Sequence, residues 1–129
     1  ARVRAAALCG TASGRCGGLL GRRGPDRDVG GGAGAPGGGP VPAERLAADG
    51  VKADVVFMDP PRSGSDVTFL DCLAKMAPKR VVYISCEPES LARDLKYLKK
   101  KGYQAEGAWP VDMFGWTGCV ETVVMLSRK

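Results

Sequence analysis

Histidine is absent from this sequence of 129 residues. Its absence excludes Ser-His-Asp and Cys-His catalysis, and it excludes metal sites that depend on imidazole ligands. Any proton transfer must therefore use a carboxylate, a lysine, a tyrosine or a thiol. We expect no metal site in this segment.

Long apolar runs are also missing, since none approaches the ~20 residues that a helix needs to span a bilayer. The apolar stretch at 5–9 is shorter than the roughly 7–15 residues of a signal-peptide core. The five cysteines include no CxxC pair, a usage typical of reduced thiols. We expect a cytoplasmic monomer with no membrane partner.

The composition changes sharply near residue 43. Of residues 1–43, 31 are Ala, Gly, Arg or Pro. The same residues include six arginines and only two aspartates, so most of the net charge of +5 lies in this part. The charge is therefore no argument for a nucleic-acid-binding surface on the folded part. Such an amino-acid composition is typical of a disordered segment, or of GC-rich DNA translated in a wrong frame. We expect residues 1–43 to be a disordered or frameshifted low-complexity segment.

Residues 44–129 have the pattern of part of a folded domain. Residues 43–49 are predicted to end a helix that Gly50 stops. Four short apolar runs predict strands, and the first is expected to be buried on both faces; they span 53–58, 80–85, 103–109 and 120–127. Helices are predicted at 66–76 and 88–101. The order β-α-β-α-β-β predicts an α/β fold, with a parallel sheet and an antiparallel closing hairpin.

The two predicted helices each have an apolar face. Ser65 is the predicted N-cap of the first. The inward residues expected for the first helix are Val67, Leu70, Leu73 and Ala74, and those for the second are Leu91, Leu95 and Leu98.

Three polar residues lie where chemistry is expected. Asp59 and Cys86 each follow a strand directly, and ligands of open α/β sheets bind at the carboxyl ends of the strands. A helix N-terminus after Cys86 favours a thiolate, although a small buried hydrophobe is an equally good interpretation. Glu121 interrupts an apolar strand and needs either a salt-bridge partner or a function.

Two motifs together resemble the RNA 5-methyluridine methyltransferases that act on 23S rRNA and tRNA. The first motif is DPPRSG at 59–64, followed after 16 residues by VVYISC at 81–86. The second runs from VDMF at 111–114 to Val120-Glu121, and the run LARDL at 91–95 is also similar to the family. The resemblance covers about residues 44–129. It implies the C-terminal half of a Rossmann-like class I methyltransferase sheet.

The resemblance implies roles for these residues. Uracil C5 is too poor a nucleophile to attack a methyl sulfonium directly, and a thiolate added to C6 activates it. Cys86 is then the nucleophile and Glu121 the base that removes the C5 proton. Asp59, Pro60 and Arg62 are then close to substrate or cofactor. The implied cofactor is S-adenosyl-L-methionine (SAM), and the implied partner is RNA, 23S rRNA first and tRNA second.

Several positions depart from the family pattern. Glu87 stands where Asn is usual, and a carboxylate beside Cys86 opposes thiolate formation. Cys119 replaces the usual His, and strand alternation predicts that it shares a face with Glu121. Ser90 replaces Thr, and Gly115-Trp116 stands where Pro and a polar or aromatic residue are common.

The cofactor half of such a fold is not recognisable. Residues 28–34 match DxGxGxG and residues 32–37 match GxGxxG, but no apolar strand precedes them and two prolines forbid the helix that should follow. The distance from residue 28 to Asp59 is also too short for the βαβ units that should intervene. We expect a truncated fragment with little SAM binding. The alternatives are an inactive half-domain that acts as a binding module, and an N-methyltransferase with a DPP-type loop.

Overall fold

The computed structural model describes residues 5–8, 17–18, 47–50 and 52–129, with the backbone alone at 5–8 and 17–18. The elements are β1 (Ala5–Leu8), β2 (Gly17–Gly18), β3 (Val55–Met58), α1 (Val67–Met76), β4 (Arg80–Ser85), α2 (Pro88–Lys100), β5 (Tyr103–Val111) and β6 (Glu121–Arg128). From β3 onward the predicted order β-α-β-α-β-β is confirmed. Within these described ranges, no helix is both long and apolar enough to cross a bilayer.

The strands form one sheet in the order β2-β1-β3-β4-β6-β5. β3 runs parallel to β1 and to β4, whereas β6 runs antiparallel to β4 and to β5. The last strand therefore inserts between β4 and β5. This arrangement confirms the predicted parallel sheet with an antiparallel hairpin, and it puts the start of β6 beside the end of β4.

Most of residues 1–43 lie outside the described residues, as does the glycine-rich segment at 28–37. Two short stretches are described: Ala5–Leu8 pairs with Val55–Met58 in parallel, and Gly17–Gly18 pairs with Ala7 and Leu8. The expectation of a disordered or frameshifted segment stays a prediction.

The core lies on one face of the sheet, where α1 and α2 pack. Alternate strand residues point into it, as the two-residue period of a strand requires; they are Val56, Met58, Val81, Tyr83, Val124 and Leu126. On the opposite face the side chain of Phe57 is 41% exposed. The expectation that β3 is buried on both faces is thus wrong within the described residues, because both packed helices lie on the same side.

Helix α1 begins one residue later than predicted. Its N-cap is Asp66 and not Ser65, and the Asp66 carboxylate accepts a hydrogen bond from the Phe69 backbone N–H at 2.6 Å. Leu70 and Leu73 are buried as predicted, whereas Val67 in the first turn is exposed and Phe69 is buried in addition.

Helix α2 follows the sequence pattern closely. Leu91 and Leu98 are buried, and Leu95 packs against the core. Pro88 occupies its first turn, where its missing N–H has no helical partner to lose. Gly102 follows the helix with a φ of +90°.

Candidate functional site at the carboxyl edge of the sheet

Three neighbouring strand ends bring the predicted residues to one edge. Asp59 follows the last residue of β3, Cys86 follows the last residue of β4, and Glu121 is the first residue of β6. In the antiparallel β4–β6 ladder the last pair is Ser85 with Thr122, so Cys86 and Glu121 are the residues that directly adjoin this last pair on the two segments.

The exposure of these residues suits a surface site. Asp59 and Arg62 are exposed, Cys86 and Glu121 are half-buried, and Pro60 is buried beneath the loop. A large partner can therefore reach the carboxylates and the thiol without any opening of the core.

The turn that carries Cys86 is fixed by its neighbours. The buried Ser85 hydroxyl accepts a hydrogen bond from the Glu87 N–H at 3.1 Å and donates one to the Glu87 carbonyl at 3.0 Å. Glu87 is the N-cap of α2 but makes no capping bond with its side chain. Cys86 is thus held in the link between β4 and a helix of 13 residues, at the positive end of the helix dipole.

The Arg62 guanidinium contacts the Cys119 thiol at this edge. Its Nη2 donates to the Cys119 Sγ at 3.1 Å. The thiols of Cys119 and, to a smaller extent, Cys86 raise the pKa of Arg62 above its ordinary value.

Cys119 lies near the site, but not, as strand alternation had predicted, on the strand that carries Glu121. It precedes β6, in the loop after β5, so strand alternation with Glu121 does not apply to it. The contact with Arg62 brings it to the edge, and its backbone N–H donates to the Thr117 hydroxyl at 3.3 Å. Because residues 62 and 119 are 57 positions apart, no local pattern could have indicated this contact.

A buried carboxylate that sequence reasoning missed anchors the motif loop 59–65. Asp94 of α2 is 1% exposed and accepts hydrogen bonds from the Ser65 N–H and the Tyr83 hydroxyl, both at 2.7 Å. Burial, followed by the hydrogen bond to Asp94, raises the pKa of Tyr83 far above its ordinary value. A signal was present, because Asp94 lies three residues after Leu91 and four before Leu98, on the inward face of the helix.

Gly64 packs closely against this anchor. It has a φ of +77°, and a Cβ built there would lie 2.5 Å from Arg93 Nη2 and 2.8 Å from Asp94 Oδ2.

We expect Gly64→Ala to lower the free energy of unfolding through both backbone strain and crowding. Gly102→Ala is the matched control, because its φ is +90° but its surroundings are open. Strain alone should cost Gly102→Ala about 1–2 kcal/mol, and Gly64→Ala should lose at least about 1 kcal/mol more. Urea denaturation of both variants measures this difference, and equal losses would contradict the packing described.

The hairpin loop between β5 and β6 exposes large apolar side chains next to Glu121. Met113 is 66% exposed, Phe114 is 50% exposed, and Trp116 projects fully into solvent with a φ of +69°. The β5–β6 ladder pairs Val111 with Glu121, so this loop starts at the same edge. Exposed aromatic faces of this kind can stack on unpaired nucleobases.

The motif loop is packed closely at Gly64. The space beside this glycine is filled by Arg93 and Asp94, so the glycine serves packing. A cavity of about 610 Å³ lies between the loop and α2, but none of Asp59, Cys86 and Glu121 lines it. The candidate site is the open edge of the sheet.

The segment that carries the candidate site is also the part of the chain that matches known proteins. Residues 44–129 match the model of the tRNA (uracil-5-)-methyltransferase family. An RNA methyltransferase of Halalkalibacterium halodurans is 50% identical over 82 residues, which are 64% of this chain and 18% of that protein. One from Bacillus cereus is 52% identical over 80 residues, 62% of this chain and 17% of that protein. The chain thus spans less than a fifth of the length of these relatives.

Solved structures agree with the fold. The tRNA (uracil-54, C5)-methyltransferase of Pyrococcus abyssi, in complex with S-adenosyl-L-homocysteine, is 39% identical with a TM-score of 0.52, over 59% of this chain and 19% of that one. The SAM complex of M1.HpyAVI has the same TM-score at 14% identity, over 67% of this chain and 52% of that one, and it shows the fold alone. With a family model that covers residues 44–129, this chain belongs to the tRNA (uracil-5-)-methyltransferase family.

Proposed function

We propose that residues 59–121 form the base-activating part of an RNA uridine-5-methyltransferase. One observation carries the proposal: three neighbouring strand ends gather Asp59, Cys86 and Glu121 at one edge. The substrate is a uridine in structured RNA, either 23S rRNA or tRNA.

The chemistry assigns one task to each group. The Cys86 sulfur forms a bond to C6 of uracil, and the electron pair of the C5–C6 double bond gives C5 the character of an enolate. SAM, when bound, would supply a methyl group through cleavage of its S–CH3 bond, leaving as S-adenosyl-L-homocysteine, and C5 would form the new bond to that methyl group. Glu121 takes the proton that remains on C5, the double bond reforms, and the sulfur leaves from C6. Asp59 is exposed at the same edge, where it can accept a hydrogen bond from the target base.

The pairing of a thiol with a carboxylate favours the C5 route over methylation of a nitrogen. A ring or amide nitrogen already has a lone pair and needs no thiolate addition. The presence of Cys86 and Glu121 at the same edge of the sheet would then have no function. The exposed Phe114 and Trp116 next to the edge further favour RNA, because their side chains can stack on splayed bases.

A chimera tests the proposal, because this chain spans only part of its relatives. The segment of the Pyrococcus abyssi enzyme that matches this chain is replaced by the corresponding residues of this chain. The substrate is a tRNA labelled with tritium at uridine C5, and the unchanged enzyme is the positive control. We expect SAM-dependent tritium release together with 5-methyluridine. Base methylation without tritium release would favour the N-methyltransferase alternative, and a folded but inactive chimera would favour the inactive half-domain.

A further inference from the structure

Trp116 lies in the hairpin loop between β5 and β6 with its side chain fully exposed. Burial of a large aromatic side chain is normally one of the largest single contributions to the stability of a fold. The indole of Trp116 makes no such contribution, because it projects away from the protein. A role in the core therefore does not explain why a tryptophan stands at this position.

The backbone at Trp116 is also unfavourable for a bulky residue. The Thr117 N–H donates to the Phe114 carbonyl at 3.2 Å, which closes a four-residue turn with Gly115 and Trp116 at its centre. A type II turn has a positive φ at its third residue and normally places glycine or asparagine there. Here the φ of +69° belongs to Trp116, and Gly115 is not among the glycines with a positive φ. A left-handed φ is a strained conformation for a tryptophan.

Hydrogen bonds within the loop and to the motif loop hold this strained turn. The Thr117 hydroxyl donates to the Phe114 carbonyl at 2.7 Å and accepts from the Cys119 N–H at 3.3 Å. Arg62 Nη2 donates to the Cys119 Sγ at 3.1 Å, which joins the hairpin loop to the motif loop 59–65. Backbone strain persists only where the surrounding structure fixes the conformation. The backbone that carries the indole is therefore fixed, and a tryptophan loses little side-chain entropy when it binds a partner.

The turn belongs to a loop that starts and ends beside the candidate site. Val111 pairs with Glu121 where β5 ends and β6 begins, and β6 begins beside the end of β4, which Cys86 follows. A nucleotide that is placed against Cys86 and Glu121 therefore has this loop beside it.

The charges at this edge favour a contact with bases over a contact with phosphates. Asp59 and Asp112 are exposed, and Glu87 and Glu121 are half-buried, whereas Arg62 contributes a cation. Carboxylates repel the phosphate backbone of RNA. Stacking on an aromatic side chain needs no cation, because every base has a π-face.

We propose that Trp116 is an RNA-binding residue that stacks on an unpaired nucleobase next to the target uridine. The inference rests on the proposed function, because it takes the edge of Cys86 and Glu121 as the place of the target base. It extends that function by assigning the recognition of a neighbouring nucleotide to one residue. The strained turn is then explained as the support that keeps the indole exposed.

Tryptophan fluorescence of the full chain measures the stacking directly. The chain has two tryptophans, so Trp109→Phe leaves Trp116 as the only reporter. A single-stranded oligouridylate is added at about 0.5 M salt, which suppresses contacts with phosphates. We expect saturable quenching of the Trp116 fluorescence and protection of Trp116 from acrylamide. An abasic oligomer of the same length should produce neither effect.

The matched control is Trp116→Gly, which leaves Trp109 as the only reporter. Trp109 is half exposed on β5, so acrylamide should quench its fluorescence and oligouridylate should not. The absence of saturable quenching of Trp116 up to about 1 mM oligouridylate, or equal quenching by the abasic oligomer, would overturn the proposal.

Substitutions at residue 116 separate stacking from a structural role, with the anisotropy of a labelled oligouridylate as the measure of affinity. Trp116→Phe keeps an aromatic face and should retain most of the affinity. Trp116→Leu and Trp116→Gly should each weaken binding by about fivefold to a hundredfold. The unfolding temperature of Trp116→Gly should equal or exceed that of the parent, because glycine adopts a left-handed φ without strain. A lower unfolding temperature with unchanged affinity, or full affinity in Trp116→Leu, would overturn the proposal.

A second copy of the chain is the competing occupant of an exposed tryptophan. Self-association is measured by sedimentation and by acrylamide quenching at increasing protein concentration without RNA. We expect Trp116 to stay accessible to acrylamide over that range. Shielding that rises with protein concentration, together with dimers that disappear in Trp116→Gly, would overturn the proposal.

The chimera distinguishes failure of this inference from failure of the proposed function. Trp116→Gly in the chimera should raise the KM for tRNA and leave kcat within about threefold, as expected for the loss of a binding contact. An inactive chimera with saturable quenching of Trp116 in this chain would refute the proposed function and leave the stacking role standing. An active chimera whose KM does not change in Trp116→Gly would refute the stacking role alone.

Discussion

Replacing Cys86 by alanine is expected to abolish 5-methyluridine formation by the chimera, with a loss on the order of 10⁴-fold or more. The reason is that uracil C5 becomes nucleophilic only after a thiolate has added to C6. Alanine leaves the turn between β4 and α2 intact, because the bonds that fix that turn are made by Ser85 and Glu87. Tritium release and 5-methyluridine should therefore disappear together, while thermal unfolding stays close to that of the parent.

Cys119→Ser is the matched control for this loss. It removes the thiol in contact with Arg62, and no step of the mechanism uses that thiol. We expect activity within about tenfold of the parent chimera, in line with the modest worth of an exposed polar contact. If Cys119→Ser abolished activity while Cys86→Ala retained it, the nucleophile would be misassigned.

Replacing Glu121 by glutamine is expected to stall the reaction at a covalent stage. Turnover should fall by about 10²–10⁴-fold, the usual contribution of a general base. The methylated base cannot lose its C5 proton without that base, so the sulfur cannot leave from C6. A protein–RNA adduct that carries the methyl group should accumulate on a denaturing gel, where the parent shows little.

Glu106→Gln is the control for Glu121, since Glu106 is an exposed carboxylate on the neighbouring strand β5. It should turn over normally without an accumulated adduct. A Glu121→Gln variant that lost activity without forming adduct would place Glu121 before the methylation step, and the proposed role would be wrong.

The elements that position the site were predictable from the sequence. Short apolar runs bounded by turn residues indicated β3 and β4, and the residues that directly follow them, Asp59 and Cys86, had to lie at the carboxyl edge of a parallel sheet. The antiparallel pairing of the closing hairpin, which contains Glu121, was also predictable. Boundaries were less certain: Ser65 was predicted as the N-cap of α1 and Asp66 is observed, because serine and aspartate are both favoured at that position.

The contacts that connect these elements were not predictable. The bond between Arg62 and Cys119 depends on the path of the exposed hairpin loop, which no periodicity describes. The burial of Asp94 could have been predicted from the helix pattern, since this residue interrupts the row of leucines on the inward face of α2. Its partners, the Ser65 N–H and the Tyr83 hydroxyl, belong to other elements, and only the packed structure shows them.

The most direct test of the account is to locate the covalent bond to RNA. The chimera is incubated with SAM and tRNA that contains 5-fluorouridine, in which fluorine replaces the C5 hydrogen that Glu121 would remove as a proton. The adduct therefore cannot break down, and digestion followed by mass spectrometry identifies the modified residue. The account predicts a methylated fluorouridine nucleotide on Cys86, within the peptide 81–93. A nucleotide attached to another residue, or methyl transfer to ordinary tRNA with no trapped adduct, would contradict it.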